Sequence, residues 1–270
     1  MKFAGKSVVI TGAGSGIGAA LARSAARLSA KVCVSDIDGD KAQLIAKEIG
    51  GRAVQCDVRD EGAIQALIHT ATQKHGEIDI FVSNAGLGGS EPTHAASAPD
   101  EIWMLNWQVH VMAHVYASRA LLPRMIARGT GHLVSVASAA GLLNQIGDAA
   151  YSATKHAAVS LAESLAITHG VEGIGISVVC PQYVATPLLG LSDVDAFDRA
   201  TLLTADEVAK AIIDGVEAEQ FLILSHPKVR DYAMHRATDH DRWIKGMQVL
   251  REKAVETMGS ATPETLYKLV

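Results

Sequence analysis

Apolar residues along this chain gather in short unbroken runs, at 7–11, 31–35, 53–58, 78–82, 133–137, 175–180 and 221–224. Such runs, without polar alternation, predict strands buried on both faces. Between them the apolar positions recur every three or four residues, which predicts helices near 17–28, 38–50, 61–75, 101–128, 149–169 and 205–219. Asp60 and Thr204 stand where helix caps are expected. Strands alternating with helices predict an α/β fold: an open, doubly wound, mostly parallel sheet of seven strands with helices on both faces. No linker or composition break occurs before about residue 225, so 1–225 reads as one domain. Residues 226–270 carry mixed charge and Trp243, and read as a helical extension of that domain. A cap, a subunit contact and a lid over the site are all open roles for it. Residues 88–99 read as a small, polar loop, and 188–203 as a loop or short helix pair.

The first strand runs into Thr11-Gly12-Ala13-Gly14-Ser15-Gly16-Ile17-Gly18, and a helix follows. Glycines let the backbone approach a pyrophosphate, and the helix N-terminus offers free N–H groups and a positive dipole end. Asp36 closes the second strand, 20 residues after Gly16, where an acid in a dinucleotide fold grips the adenosine ribose. The unit is therefore a Rossmann-type dinucleotide site.

A second constellation lies further on. Tyr151 and Lys155 are four apart on a predicted helix, so they share a face. An ammonium beside a phenol favours the phenolate, and a phenol tuned this way exchanges protons. Ser138 ends the fifth strand, 13 residues before Tyr151.

Composition narrows the field. Of 270 residues, 49% are hydrophobic and 20% charged, the net charge is −5, and no basic block is interleaved with aromatics. Nucleic acid is not expected as a partner. No 18-residue apolar run or signal peptide is evident, so no membrane span is expected. Cys33, Cys56 and Cys180 have no metal spacing and read as free thiols of a cytoplasmic protein. His110 and His114 have the i,i+4 spacing of a helical metal pair, but no third ligand is apparent, and no metal is expected.

Thr11-Gly12-x3-Gly16-Ile17-Gly18, Asn84-Ala85-Gly86, Leu122-Pro123-Arg124-Met125, Ser138, Tyr151-x3-Lys155 and Pro181…Thr186, in this order and spacing, resemble the short-chain dehydrogenase/reductase family up to about residue 225. The resemblance implies an oxidoreductase that interconverts a secondary alcohol and a ketone or aldehyde. Tyr151 would be the general acid or base, Lys155 would lower its pKa and bind the nicotinamide ribose, and Ser138 would hold the substrate oxygen. Asp57 and Val58 would flank the adenine, and Asn84, with Ala85 and Gly86, would pack near the ribose. Val184 and Thr186, beyond Pro181, would hold the carboxamide. It also implies a homotetramer or homodimer. Asp36 selects NAD, because its carboxylate repels the 2′-phosphate of NADP and Ile37 offers no compensating charge. The substrate wall is expected from 139–147, Gln182, 188–203 and the tail. Leu142, Leu143, Ile146, Leu188, Leu189 and Leu191 make it largely apolar. An acyl-chain reductase and a non-catalytic dinucleotide-binding scaffold are the competing readings.

Two positions depart from the family. Its pattern has an asparagine 13 residues before the proline, where this chain has His110; Asn106 lies one turn earlier. Three outcomes are open: His110 keeps a proton relay, it is a satisfied buried histidine, or the relay is impaired. Gln182 stands where the family commonly has glycine.

Overall fold

The computed structural model describes residues 1–89, 91, 93–191 and 202–270. Seven strands form the main sheet: β1 (Ser7–Ile10), β2 (Lys31–Asp36), β3 (Arg52–Gln55), β4 (Ile80–Ser83), β5 (Gly131–Val136), β6 (Ile174–Val179) and, after a separate two-stranded ribbon of β7 (Val184–Ala185) and β8 (Leu203–Thr204), β9 (Leu222–Ile223). Their spatial order is β3-β2-β1-β4-β5-β6-β9, and every pairing is parallel. The doubly wound parallel sheet is thus as the apolar runs predict; the ribbon was not anticipated, because two-residue strands leave no periodic signal.

Successive residues of β1 serve opposite faces. Val8 and Ile10 pack with Leu21 of α1 (Gly16–Arg27) and Ile212 and Val216 of α7 (Ala205–Glu217). Val9 packs with Cys33 and Phe81 against Ile64 and Leu67 of α3 (Glu61–His75), Leu121 and Met125 of α5 (Ala113–Arg128) and Ala158 of α6 (Ala149–His169). Burial on both sides is why these strands read as unbroken apolar runs. Helix α2 (Gly39–Ile49) follows β2, capped by Asp38.

The long helix expected over 101–128 is interrupted. It consists of α4 (Asp100–Trp107), a π turn (Gln108–Met112) and α5. A π turn accommodates one extra residue, which rotates the side chains on either side of it relative to a regular helix. Residues 192–201, most of the loop expected at 188–203, lie outside the described residues; before them Pro187–Leu189 form a 3₁₀ turn. The tail forms α8 (Lys228–Thr238), α9 (His240–Met258) and α10 (Pro263–Leu266). Among the described residues no helix is long and apolar enough to cross a membrane.

The approach of α7 to the sheet is close enough to require a glycine. A Cβ on Gly215 would lie 2.5 Å from Ile223 Cγ1 and 2.6 Å from its Cδ1. Alanine gains about 1 kcal/mol in helix propensity, but overpacking against a stiff, β-branched side chain costs about 1–3 kcal/mol. Gly215→Ala is therefore expected to lower the urea midpoint; an unchanged or higher midpoint would show that α7 can move off the sheet at no cost.

Candidate active site

The C-terminal ends of the parallel strands open into one cleft of about 1180 Å³. Strand order reverses between β1 and β4, where such sheets bind ligands. Gly12, Ser15, Gly16 and Ile17 line the cleft beside Asp36, Asp57 and Val58, then Asn84, Ala85 and Gly86, then Ser138, Tyr151 and Lys155, then Pro181, Val184 and Thr186. Of the cofactor and catalytic residues expected from the sequence, Gly18 and His110 stand outside this lining; of the expected wall residues, Leu143, Ile146, Leu188 and Leu189 line the cleft and Leu142 and Leu191 do not.

The glycines and Asn84 do more packing than the sequence suggested. Gly12 has φ +61°, and a Cβ there would lie 2.7 Å from Ala85 Cα. A Cβ on Gly18 would lie 2.4 Å from the Gly12 carbonyl oxygen and 2.6 Å from Asn84 Nδ2. Asn84 Nδ2 donates to the Thr11 and Gly12 carbonyls, at 2.9 and 3.1 Å. Thr11 Oγ1 accepts from the backbone N–H groups of Asn84 and Ala85. The first turn and the end of β4 are thus clasped together, and Gly18 serves that clasp rather than facing the cleft.

Helix α1 is prepared for an anion. Its N-cap, Ser15, makes no side-chain cap bond, and its first turn holds no acidic residue. By contrast α2, α3, α6 and α7 are each capped by an Asp or Thr side chain. The positive end of α1 is left uncompensated where it meets the cleft. Asp36 accepts backbone N–H bonds from Gly14 (2.9 Å) and Asp38 (3.0 Å), which orient its carboxylate and leave lone pairs free. Two nearby cations are already paired, Lys41 with Asp38 at 3.2 Å and Arg59 with Asp57 at 2.5 Å. The Arg59 guanidinium holds the Asp57 carboxyl below its usual range.

At the other end, Ser138 Oγ accepts from the Ala140 N–H at 3.1 Å and donates to the Pro181 carbonyl at 3.5 Å, and it shares the cleft lining with Tyr151. Lys155 Nζ donates to the Val136 carbonyl at 3.1 Å and lies 5.4 Å from the Tyr151 ring centroid. Burial decides the protonation of both. It pushes Tyr151 up to about 12, against the pull of the Ser138 hydroxyl, and Lys155 down to about 8. Desolvation, rather than the neighbouring lysine, therefore sets the direction of the phenol's shift. Asp148 caps α6 by accepting from the Tyr151 N–H at 3.1 Å, and also takes the Gly89 N–H at 2.9 Å. Burial raises its carboxyl pKa.

The π turn delivers His110, fully buried, against Tyr151, with ring centroids 5.3 Å apart at 88°. Its Nε2 accepts from the Leu87 N–H at 3.2 Å, so Nε2 carries no proton. The proton sits on Nδ1, 3.0 Å from Thr154 Oγ1, whose own hydrogen goes to the Ala150 or Tyr151 carbonyl. Both ring nitrogens are thereby engaged, and a relay water has no free position on the ring. Burial first, then the charge of Lys155, holds the His110 pKa well below its ordinary value. Asn106 is also buried, but its amide donates back to Ile102 of its own helix.

Two contributors were not foreseen. The Gln182 N–H donates to His226 Nδ1 at 3.1 Å, and His226 Nε2 donates to the Tyr183 carbonyl at 3.1 Å. The loop after β6 is thus held by the first residue of the tail. Thr154 receives the Nδ1 proton of His110. The only signals in the sequence were position: His226 follows the last apolar run, and Thr154 precedes Lys155.

Comparisons with known proteins agree with this geometry. A family model described as short chain dehydrogenase matches residues 6–194. The 1-deoxy-11-beta-hydroxypentalenate dehydrogenase of Streptomyces exfoliatus is 34% identical, over 83% of this chain and 84% of its own. A short chain dehydrogenase/reductase from Burkholderia phymatum, solved in complex with NAD, superposes with a TM-score of 0.79 at 30% identity, covering 89% of this chain and 96% of that one. A 3-ketoacyl-(acyl-carrier-protein) reductase from Brucella melitensis, complexed with NADH, gives a TM-score of 0.75 at 30% identity, covering 83% and 97%.

The hydrogen bonds of His110 make a direct prediction. In ¹⁵N-detected NMR, its Nδ1 should be the protonated nitrogen, and the ring should stay neutral through the range in which an ordinary histidine takes up a proton. A Nε2–H tautomer, or charging near pH 6.5, would contradict the assignment.

Proposed function

This chain belongs to the short chain dehydrogenase family, and from that premise we propose that it is an NAD-dependent oxidoreductase interconverting a secondary alcohol and a ketone or aldehyde. The observation that carries the reading is the meeting of Ser138, Tyr151 and Lys155 in one cleft at the strand ends, with the buried lysine 5.4 Å from the phenol ring. When bound, NAD supplies the nicotinamide ring that takes or returns the hydride.

Everything else falls to the protein. Ser138 holds the substrate oxygen and stabilises charge developing on it. Tyr151 donates its proton to that oxygen in reduction and removes it in oxidation. Because burial keeps the phenol protonated at neutral pH, the donor form is the resting one. Alcohol oxidation accordingly gains as pH rises. Lys155 binds the nicotinamide ribose, and its charge supports the phenolate when that forms. The uncapped turn at Ser15, Gly16 and Ile17 takes the pyrophosphate, and Asp36 the adenosine ribose. Asp57 and Val58 flank the adenine. Val184 and Thr186 take the carboxamide. His110 acts by position, tying the Leu87 backbone to Thr154 on the helix that carries Tyr151. The substrate is a largely apolar small molecule.

The non-phosphorylated cofactor also occurs in the Brucella 3-ketoacyl reductase complex, so Asp36 does not by itself separate our reading from an acyl-chain reductase. Three buried free thiols suit a cytoplasmic setting. Ile102, Met104, Trp107 and Ile167, exposed on α4 and α6, suit a homodimer or homotetramer.

Two outcomes test this reading. Purified protein should reduce NAD with secondary alcohols, with Tyr151→Phe lowering kcat about 10²–10⁴-fold; turnover that survives the substitution would remove Tyr151 from the mechanism. The kcat/KM for NAD should exceed that for NADP by about 100-fold, and Asp36→Ser should narrow the gap. Equal use of NADP would overturn the role given to Asp36.

A further inference from the structure

The tail supplies a wall of the cleft, and its pattern has a chemical meaning. Along α9 the cleft-lining residues are Arg242, Trp243, Gly246, Met247 and Leu250, preceded by Asp239 at the cap. These are spaced i, i+3, i+4, i+7, i+8 and i+11, so one face of the helix is turned inward over three turns. The face is polar at its start and apolar beyond, from Trp243 to Leu250, a rise of about 10 Å.

The place of this face follows from its anchors. Trp243 and Tyr232 pack on the cluster of Ala139, Leu143 and Val229, that is, on the turn directly after Ser138. On the far side, a Cβ on Gly147 would lie 2.5 Å from the Ala261 carbonyl oxygen, and the rings of Tyr183 and Tyr267 lie 6.3 Å apart. Of these anchors Ala139, Leu143, Gly147 and Tyr183 follow β5 or β6. Asp36 and Asp57, the dinucleotide end, follow β2 and β3. In the sheet order β5 is three strands from β2, about 14 Å. The inward face of α9 therefore borders the half of the cleft that holds Ser138 and Tyr151. Leu266 of α10 closes the same half from beyond. Gly246 is the gap in the stripe: a Cβ there would meet nothing within 4 Å.

From this arrangement we infer that α9 is a substrate-binding wall, and that the substrate is an alcohol or ketone with a hydrocarbon body reaching about 10 Å from the reacting carbon, laid along Trp243, Met247 and Leu250. The inference rests on the oxidoreductase reading above and adds the class of substrate. A small polar alcohol would leave the stripe wet. Each methylene laid against it gains transfer free energy equivalent to about a fourfold increase in kcat/KM.

The test is a homologous series of 2-alkanols, from 2-butanol to 2-nonanol, with NAD. The expected kcat/KM climbs about fourfold per methylene in the unaltered protein. In Gly246→Phe, whose ring fills the gap, the climb stops at shorter alcohols; in Leu250→Gln it weakens only for the longest. Circular dichroism and Tm identify any variant that fails to fold. A flat series in the unaltered protein, or a climb that neither folded variant alters, overturns the inference. Binding is read separately, by quenching of tryptophan fluorescence with 2-nonanone. Trp243→Phe should remove most of the quench, and a full quench in that variant counts against the wall. Quenching by 2-nonanone without turnover of any alcohol would keep the wall and overturn the oxidoreductase reading.

Discussion

A lysine taken out of water governs the chemistry of this cleft. Lys155 is buried, and its one described acceptor is a backbone carbonyl, that of Val136. Desolvating an ammonium costs several kcal/mol before compensation, which is why its pKa drops to about 8. The same dry surroundings act on every titratable neighbour. Tyr151 rises to about 12, His114 falls to about 3, and His110 falls well below its ordinary value, the last two pushed further by the lysine charge. Burial first, and the lysine charge second, keep the histidines around it neutral, while burial keeps the phenol protonated.

Such a pocket has to be held open against collapse, and two clasps do this. The Thr11–Asn84 bonds join the first turn to the end of β4. His226 joins the loop after β6 to the end of β9. Both clasps use side chains to satisfy backbone groups that the parallel ladder leaves free at its C-terminal edge, where buried polar groups need partners. The turn after Ser138 is fixed from the same edge, its Ala139 N–H donating to the Pro181 carbonyl at 2.7 Å. Ligand-facing residues thus inherit their positions from the ends of a rigid sheet.

His110 shows how a spacing argument can find a residue without its partners. Counting back from Pro123 reached it, and the structure brings it to Tyr151 through a π turn that a regular helical pattern over 101–128 did not reveal. A helix period is carried by which positions are apolar, and one extra residue within a single turn barely disturbs that record. The proton-relay reading depended on a free ring nitrogen. Whether a nitrogen is free depends on Leu87 and Thr154, which are 23 and 44 residues away in sequence.

By itself, the sequence determined what local chemistry dictates. Unbroken apolar runs specified strands buried on both faces, the glycine turn and Asp36 specified a dinucleotide site, and Ser138, Tyr151 and Lys155 declared themselves by interval. Tertiary structure alone decided what depends on contact at a distance. It set which way burial moves the phenol, which partners occupy His110, that Gly18 packs on Asn84 rather than facing the cleft, and that the tail lays one face of α9 against the half of the cleft holding Tyr151. The division has a physical cause. Periodicity and turn chemistry are written within a few residues, whereas desolvation and hydrogen-bond satisfaction are properties of a neighbourhood that exists only once distant segments have packed.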